Sequence, residues 1–391
     1  MYFALVIFIE NNVFVNKDTA KELRDYVLQY YPLGKVTWAF QPAVLESIAE
    51  EFENYIAECV SEYGDAIEIG TGFPCIDWTD SEAVGFCTGV IDLVISKFGV
   101  TPVFAGAYGW RSTQLQLLHD SLGIDVVMGT AWSQEHVDRY SGAGSIPYPY
   151  YTSKTHNLIP AQSENDKVGT LTLDTNTPDL VGNMFPGVRF TIHPADPTGY
   201  IGNNALHVTN QYVSSGLNDF VLLTQYLEIL WLQTATQLKT NWKDYIDKLY
   251  TAYPTLDFVT VREFNTWFRT QYNDTPTYKF EFTGSGNQQV DHLGVTRTSD
   301  SNIKNRWLFS KDGRCCVSQN LTTLEYNILD TLSYKGGVQE PITKCDYFSL
   351  VSGLNWKMSQ SPTSKQQWLV KRWQDYFDIE VITKKRMRGI I

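Results

Sequence analysis

The sequence predicts an α/β protein. Residues 1–272 read as an incomplete or seven-stranded parallel βα barrel, and residues 273–391 as a small mixed or β-rich C-terminal module. Three observations carry this. Five strand-like runs follow one another with helical patterns between them: residues 2–11 (YFALVIFIEN), 35–41 (KVTWAFQ), 66–72 (AIEIGTG), 101–110 (TPVFAGAYGW) and 124–132 (IDVVMGTAW). Strict alternation of strand and helix implies parallel pairing through right-handed crossovers. Runs such as 3–9 are continuously apolar, as strands covered on both faces are. From residue 278 the pattern changes to alternating strands joined by hairpin signals.

The elements follow in order. Asn16 caps a helix over 17–31, which Pro32 and Gly34 end. Pro42 opens a long helix with Val44, Leu45, Ile48, Phe52, Ile56 and Val60 at helical spacing, closed by Gly64. Thr79 and Glu82 form a capping box for a helix over 84–98. Ser112 caps a helix over 113–122, ended by Gly123. The rhythm then breaks. Residues 133–186 read as a long irregular insertion over the cleft, rich in Gly, Pro, Ser, Thr and Asn, with 146–151 (IPYPYY) its most unusual part. Long loops without secondary structure of their own are usually functional or disordered. A sixth strand is expected at 188–193 (VRFTIH). A helical region is expected over 218–253, kinked near 234–240, and another helix over 261–272 behind a Thr260–Glu263 capping box. Residues 273–278 (NDTPTY) read as a linker. Beyond it, 278–283 (YKFEFT) alternates, and 306–310 and 314–319 flank a Lys311-Asp312-Gly313 turn; 366–377 reads as helix and 379–383 as extended.

Composition narrows the function classes. The formal charge is −12, and only 384–388 (KKRMR) is densely basic, so no nucleic-acid partner is expected. Aromatics make up 14% of the chain, with 23 Tyr and 11 Trp. They offer stacking surface for sugar rings, although large cores also use them. The six cysteines show neither a CxxC pair nor zinc spacing, so neither a cofactor nor a metal site is expected. The apolar residues 1–9 have no basic residue before them and Glu10 directly after them, which reads as a buried strand and not a leader. No apolar run is long enough to span a bilayer, so a soluble chain without a membrane partner is expected.

In a parallel barrel the strand C-termini converge on one face. Here those ends carry Glu10, Asn11, Tyr108, Trp110, Trp132 and His193. The runs Phe8-Ile9-Glu10-Asn11, Val36-Thr37-Trp38-Ala39-Phe40, Ala66-Ile67-Glu68-Ile69-Gly70-Thr71-Gly72 and Phe104-Ala105-Gly106-Ala107-Tyr108-Gly109, then Trp132 and His193, stand in a telling order. Residues 2–272 thereby resemble the polysaccharide deacetylase (NodB-homology) barrel of the glycoside hydrolase/deacetylase superfamily. The resemblance implies a barrel acting on carbohydrate. The family's divalent metal is held by one Asp and two His. The two histidines of the third motif are missing here, where Thr71, Gly72 and Phe73 stand, and the arginine of the fourth motif is Ala105. A zinc deacetylase site is therefore not expected.

The expected function is a hydrolase acting on a glycan through strand-end carboxylates. Glycosidases pair an acid with a base or nucleophile about 5–9 Å apart. Glu10, Glu68, Asp77, Asp80, Glu135 and Asp138 all lie near expected strand ends. Glu10 and Asp77 are assigned catalytic roles, Glu10 foremost because an acid on an apolar central strand is costly to bury without a role or a partner. Glu68 could instead be satisfied inside the barrel, and Asp77 and Asp80 could serve only the helix start. His193 is assigned as general acid; a lone histidine also fits a hydrogen-bonded structural role. Tyr108, Trp110, Arg111, Trp132, Tyr148 and Tyr150 are assigned to substrate contact. The alternative for the rim residues is packing, and for the tyrosines an interdomain staple. The second functional reading is a catalytically inactive barrel that binds glycan or serves assembly. A metal site rebuilt from His193, His136, Asp138 or His156 shows no ligand spacing.

Overall fold

The computed structural model describes residues 1–9, 16–70, 78–105, 110–129, 146, 148–157, 159–177, 180, 202–213, 216–284, 288–290, 296–298 and 301–335. The central sheet is built from β1 (Tyr2–Ile9), β2 (Thr37–Phe40), β3 (Ala66–Ile69), β4 (Val103–Ala105), β5 (Val126–Met128), β6 (Tyr150–Ser153), β7 (Lys167–Leu173), β8 (Leu222–Glu228) and β9 (Asp257–Phe258). Its order is β6-β7-β5-β4-β3-β2-β1-β8, with β9 beside the first residues of β1. Every pairing is parallel except β6 with β7. The helices are α1 (Lys17–Tyr30), α2 (Pro42–Ser47), α3 (Glu50–Tyr63), α4 (Asp80–Phe98), α5 (Ser112–Leu122), α6 (Gly202–Val213), α7 (Ile229–Thr234), α8 (Thr236–Ala252) and α9 (Val261–Gln271).

Local chemistry sets the helix ends. Asn16 Oδ1 accepts from Thr19 N at 3.1 Å at the start of α1. Reciprocal Thr79–Glu82 and Thr260–Glu263 boxes start α4 and α9. Gly64 and Gly123, at φ +76° and +68°, end α3 and α5 in the left-handed region that costs a glycine nothing. The expected long helix from Pro42 is broken, because Ile48 and Ala49 are both extended. Three glutamates then sit in the first turn of α3, where the helix dipole favours negative charge. Ser112 is the first helical residue of α5, and Arg111 holds the capping place.

One face of the sheet meets helices. Trp38 lies edge-on to Tyr55 of α3, Phe40 stacks near Phe98 of α4, and Gln225 Oε1 accepts from Trp242 Nε1 of α8 at 3.0 Å. Strand pleat sends alternate residues to the opposite face. Phe8, Ala39, Glu68 and Glu228 share that opposite face, in register across β1, β2, β3 and β8.

The strand N-termini are covered by α9. Val261 N donates to Thr37 Oγ1, Arg262 Nη2 to Thr101 O just before β4, and Asn265 Nδ2 to Asp125 Oδ2 just before β5. Arg269 Nη2 reaches both Asp125 O and Gly169 O. Residues just past β7 hydrogen-bond to β8: Thr177 N donates to Thr224 O at 2.9 Å, Thr224 N to Thr177 Oγ1 at 2.7 Å, and Tyr226 N to Asn176 Oδ1 at 2.9 Å.

Two expectations change here. Residues 222–228, expected within a helix, form β8, because seven of them pair with β1. Residues 133–186, expected as an irregular insertion, supply β6 and β7, and β7 pairs parallel with β5. The expected strand at 188–193 and helix at 366–377 lie outside the described residues.

The second sheet is antiparallel. Its order is β10 (Tyr278–Thr283), β13 (Ile303–Ser310), β14 (Gly313–Asn320) and β15 (Tyr326–Ser333), beside a hairpin of β11 (Gln288–Val290) and β12 (Thr296–Thr298). The Lys311-Asp312 turn joins β13 to β14 as expected. This sheet meets the first through aromatics. Tyr148 packs 4.6 Å from Tyr278 and 5.2 Å from Phe309 between ring centroids, and Tyr278 Oη donates to Pro149 O. Trp307 Nε1 donates to Leu180 O, and Tyr212 of α6 lies against Phe280.

Candidate functional site

Two buried acids belong to β3 and the residue before it. Asp65 is surrounded by donors. It accepts from Arg24 Nε at 2.7 Å and Nη2 at 3.3 Å, from Val36 N at 3.2 Å and from Trp38 Nε1 at 2.9 Å. Burial pushes its carboxyl up from the ordinary value, and these donors offset part of that rise. Glu68, three residues on, is fully buried, and among the described residues neither carboxylate oxygen makes a well-formed hydrogen bond, although the Tyr226 hydroxyl stands close enough to act on it. Burial pushes its carboxyl up to about 8, with the Tyr226 hydroxyl offsetting a little. At neutral pH Glu68 is therefore mostly a neutral acid, one residue short of the C-terminal end of β3.

Glu68 pairs with Ala39 of β2 and Val103 of β4, and the side chain that acts on its carboxyl is Tyr226 of β8. Tyr226 lies 5.0 Å from Phe8, ring to ring. A Cβ at Gly70 would stand 3.1 Å from the Tyr226 hydroxyl and 3.2 Å from a Phe8 ring carbon. Glycine is needed there because the two rings close over the end of β3. Glu228 ends β8 in the same register row and is also buried. Three strand spacings separate it from Glu68, about 14 Å along the sheet.

The expected site residues divide into two groups. Glu10, Asp77, Tyr108, Trp132 and His193 lie outside the described residues. Of the others, Trp110 is fully buried, edge-on to Trp78, and its carbonyl accepts from Asn157 Nδ2. Arg111 Nη2 donates to Trp78 O at 2.8 Å and to Asp80 Oδ1 at 3.3 Å, tying the start of α4 to that of α5. Tyr148 and Tyr150 are 2% and 0% exposed. Tyr150 Oη donates to Asn157 O, and Tyr148 is wedged against the second sheet. The substrate-stacking role expected of Trp110, Tyr148 and Tyr150 does not fit side chains with no open face. These residues pack the rim and staple the two sheets. His156 is buried too, and burial pushes its imidazole down to about 3, so it is neutral.

Sequence reading weighed Glu68 but passed over Tyr226 and Glu228, because it placed 222–228 on a helix. The available signal was the pairing of a seven-residue run with an already evident first strand. Among the described residues, no group of three His, Cys, Asp or Glu could hold a metal ion. Nor is any helix among them long and apolar enough to cross a membrane.

A mostly parallel central sheet with helices against one face, joined to a small antiparallel sheet, defines the class: a mixed α/β fold. The chain belongs to the DUF3863 family, a domain of unknown function with a solved structure, whose model matches residues 9–309. The match runs through 272–273 and ends in β13, so the first strands of the second sheet belong to the same family unit. No curated protein matches the chain. The fold is similar to that of a Parabacteroides distasonis protein described as a glycoside hydrolase/deacetylase, with TM-score 0.71, 20% identity, and 87% of this chain and 86% of that one covered. More partial likenesses extend to PuuE allantoinase (TM-score 0.44, 11% identity) and to a protein of Pseudomonas aeruginosa PAO1 described as a polysaccharide deacetylase (TM-score 0.44, 12% identity). Each of these covers 69% of this chain and 91% of the other.

Proposed function

We propose that the chain is a carbohydrate-active hydrolase that cleaves a glycan at the C-terminal ends of its parallel strands. In this reading the strands curve into an incomplete seven-stranded barrel, with Asn176 and Thr177 bridging the seam between β7 and β8. The observation that carries the proposal is Glu68: a buried carboxyl with the Tyr226 hydroxyl beside it and no charged partner among the described residues, mostly neutral at physiological pH, near a strand end. Such a group is suited to protonate a leaving oxygen. Glu10, two residues beyond Phe8, is the candidate ionised partner; Asp77 and His193 are the other candidates at the same end. The description of the Parabacteroides distasonis protein supports carbohydrate as the substrate by fold analogy.

Reducing-end and acetate release from a panel of glycans tests this, with Glu68→Gln beside the wild type. Gln matches the neutral acid in shape but cannot donate that proton. Loss of activity by about a hundredfold or more is expected. Undiminished cleavage by Glu68→Gln would remove the acid from the mechanism, and acetate without new reducing ends would make the reaction a deacetylation. One observation favours the second reading, a non-catalytic glycan-binding or assembly protein: Glu68 is sealed from solvent, so a substrate must displace neighbours to reach it. Glycan binding without any product would establish that reading.

A further inference from the structure

At the end of the sheet away from the strand C-termini lies a cavity of about 550 Å³. It is formed by the turn from α1 to β2, the turn from α8 to β9, the first residue of β1 and the start of α9. Cavities of roughly 300–1,000 Å³ suit small ligands. Its construction is specific. Tyr2 and Trp267, both half-buried, pack 4.7 Å apart and present a joint aromatic wall. Leu33, 92% exposed, stands on the rim, an apolar side chain left in water at the tip of a turn. The turn approaches β9 so closely that a Cβ at Gly34 would fall 3.1 Å from Phe258 Cβ and 2.9 Å from Tyr31 O. Glycine at that place lets the floor form.

The polar groups narrow the ligand. Asp257 is exposed on the rim and close enough to Tyr2 to raise its hydroxyl pKa further, beyond the effect of burial. Lys35 Nζ pairs with Glu263 Oε1 across the same cavity. The positive charge is thus already matched, which leaves no free cation among the lining residues for a phosphate or an acidic peptide. What remains is an aromatic wall beside carboxylate acceptors. That combination suits an uncharged molecule with one apolar face and a hydroxyl-bearing edge.

We propose that this cavity is a second saccharide-binding site, on the opposite end of the sheet from the catalytic site, in which a sugar ring of a neutral oligosaccharide stacks on Tyr2 and Trp267 and hydrogen-bonds to Asp257. It does not depend on cleavage at Glu68. It would hold a polymer against the protein while another part of the chain is worked on, or anchor the protein to a glycan surface.

Titration of the full chain with short neutral cello-, xylo-, malto- and chito-oligosaccharides tests the proposal, read by tryptophan fluorescence and calorimetry. At least one series is expected to bind saturably. Trp267→Ala should weaken that binding about tenfold. Trp267 also contacts Phe220 and Phe264, so Asp257→Ala, at an exposed position, serves as the variant that leaves packing alone; it should weaken binding about threefold. Three results overturn the proposal: no saturable binding by any series, binding kept by both cavity variants, or a concentration-dependent dimer that Leu33→Asp dissolves, which would make the groove an interface between copies.

Discussion

Asp65 and Glu68 stand three residues apart, both buried, one just before β3 and one within it. They differ in company. Asp65, at the strand start, receives four hydrogen bonds, two of them from a buried guanidinium that also lies over the Tyr63 ring. Glu68, near the strand end, has only the weak influence of the Tyr226 hydroxyl among the described residues. Folding has resolved the first burial and left the second open. Buried polar groups without partners are rare, and where they persist near a strand C-terminus they mark function more often than packing. The wider molecule repeats the contrast. The N-terminal ends of the strands are covered by α9 through paired side chains, whereas near the C-terminal end of β3 lies an acid whose burial is offset only slightly, by the Tyr226 hydroxyl.

The largest expected effect is on the pH dependence of stability. The folded Glu68 keeps its proton up to about pH 8, while the unfolded carboxyl loses it near 4.5. Between these values the folded state binds more protons, so its contribution to stability is full below pH 4.5 and falls as pH rises through 8. The whole swing is on the order of 5 kcal/mol. His156 acts in the opposite sense. Its folded pKa of about 3 lies below the ordinary 6.5, so its contribution is full above 6.5 and is lost as pH falls towards 3. The two slopes oppose each other between 4.5 and 6.5, giving a plateau there. Denaturant melts across pH should show Glu68→Gln losing the alkaline fall while keeping the acid one. An alkaline fall of unchanged size in that variant would refute the assignment of Glu68.

Next in size is Asp65→Ala. It strands Arg24, 3% exposed, without its counter-charge, and should cost about 3–5 kcal/mol in chemical denaturation. Glu68→Gln measured at pH 5 should be nearly neutral by the same assay. Equal losses at the two positions would erase the contrast between them. Tyr148→Ala comes next. It opens a hole between the two sheets and should lower stability by about 3 kcal/mol while leaving any glycan affinity unchanged. Lost affinity at an unchanged melting temperature would return Tyr148 to the substrate cleft. Smallest is Thr260→Ala, which removes a cap from α9 and should cost about 1 kcal/mol.

Much of the first half of the fold was legible. The runs of β1 to β5 and their helices carry strong local periodicity, and Asn16, Thr79, Thr260, Gly64 and Gly123 mark helix ends where their chemistry places them. The second half was less so. Residues 222–228 (LLTQYLE) offer apolar positions at both helical and strand spacing, and 167–173 (KVGTLTL) is a short alternating run inside a turn-rich stretch. Both became strands because partners stood ready, β1 for one and β5 for the other.

The candidate site divides in the same way. By itself the sequence determined that an acid sits in the apolar run of β3, and that five strands alternate with helices, because side-chain polarity and periodicity are local properties. Tertiary structure alone decided that Asp65 meets Arg24 across 41 residues while Glu68 meets the Tyr226 hydroxyl and, among the described residues, no counter-charge. It also decided that Tyr148 packs against the second sheet and that Tyr150 is buried with its hydroxyl on Asn157 O. Burial and hydrogen-bond satisfaction are properties of pairs, and the partners come from parts of the chain that meet only when the sheet has formed.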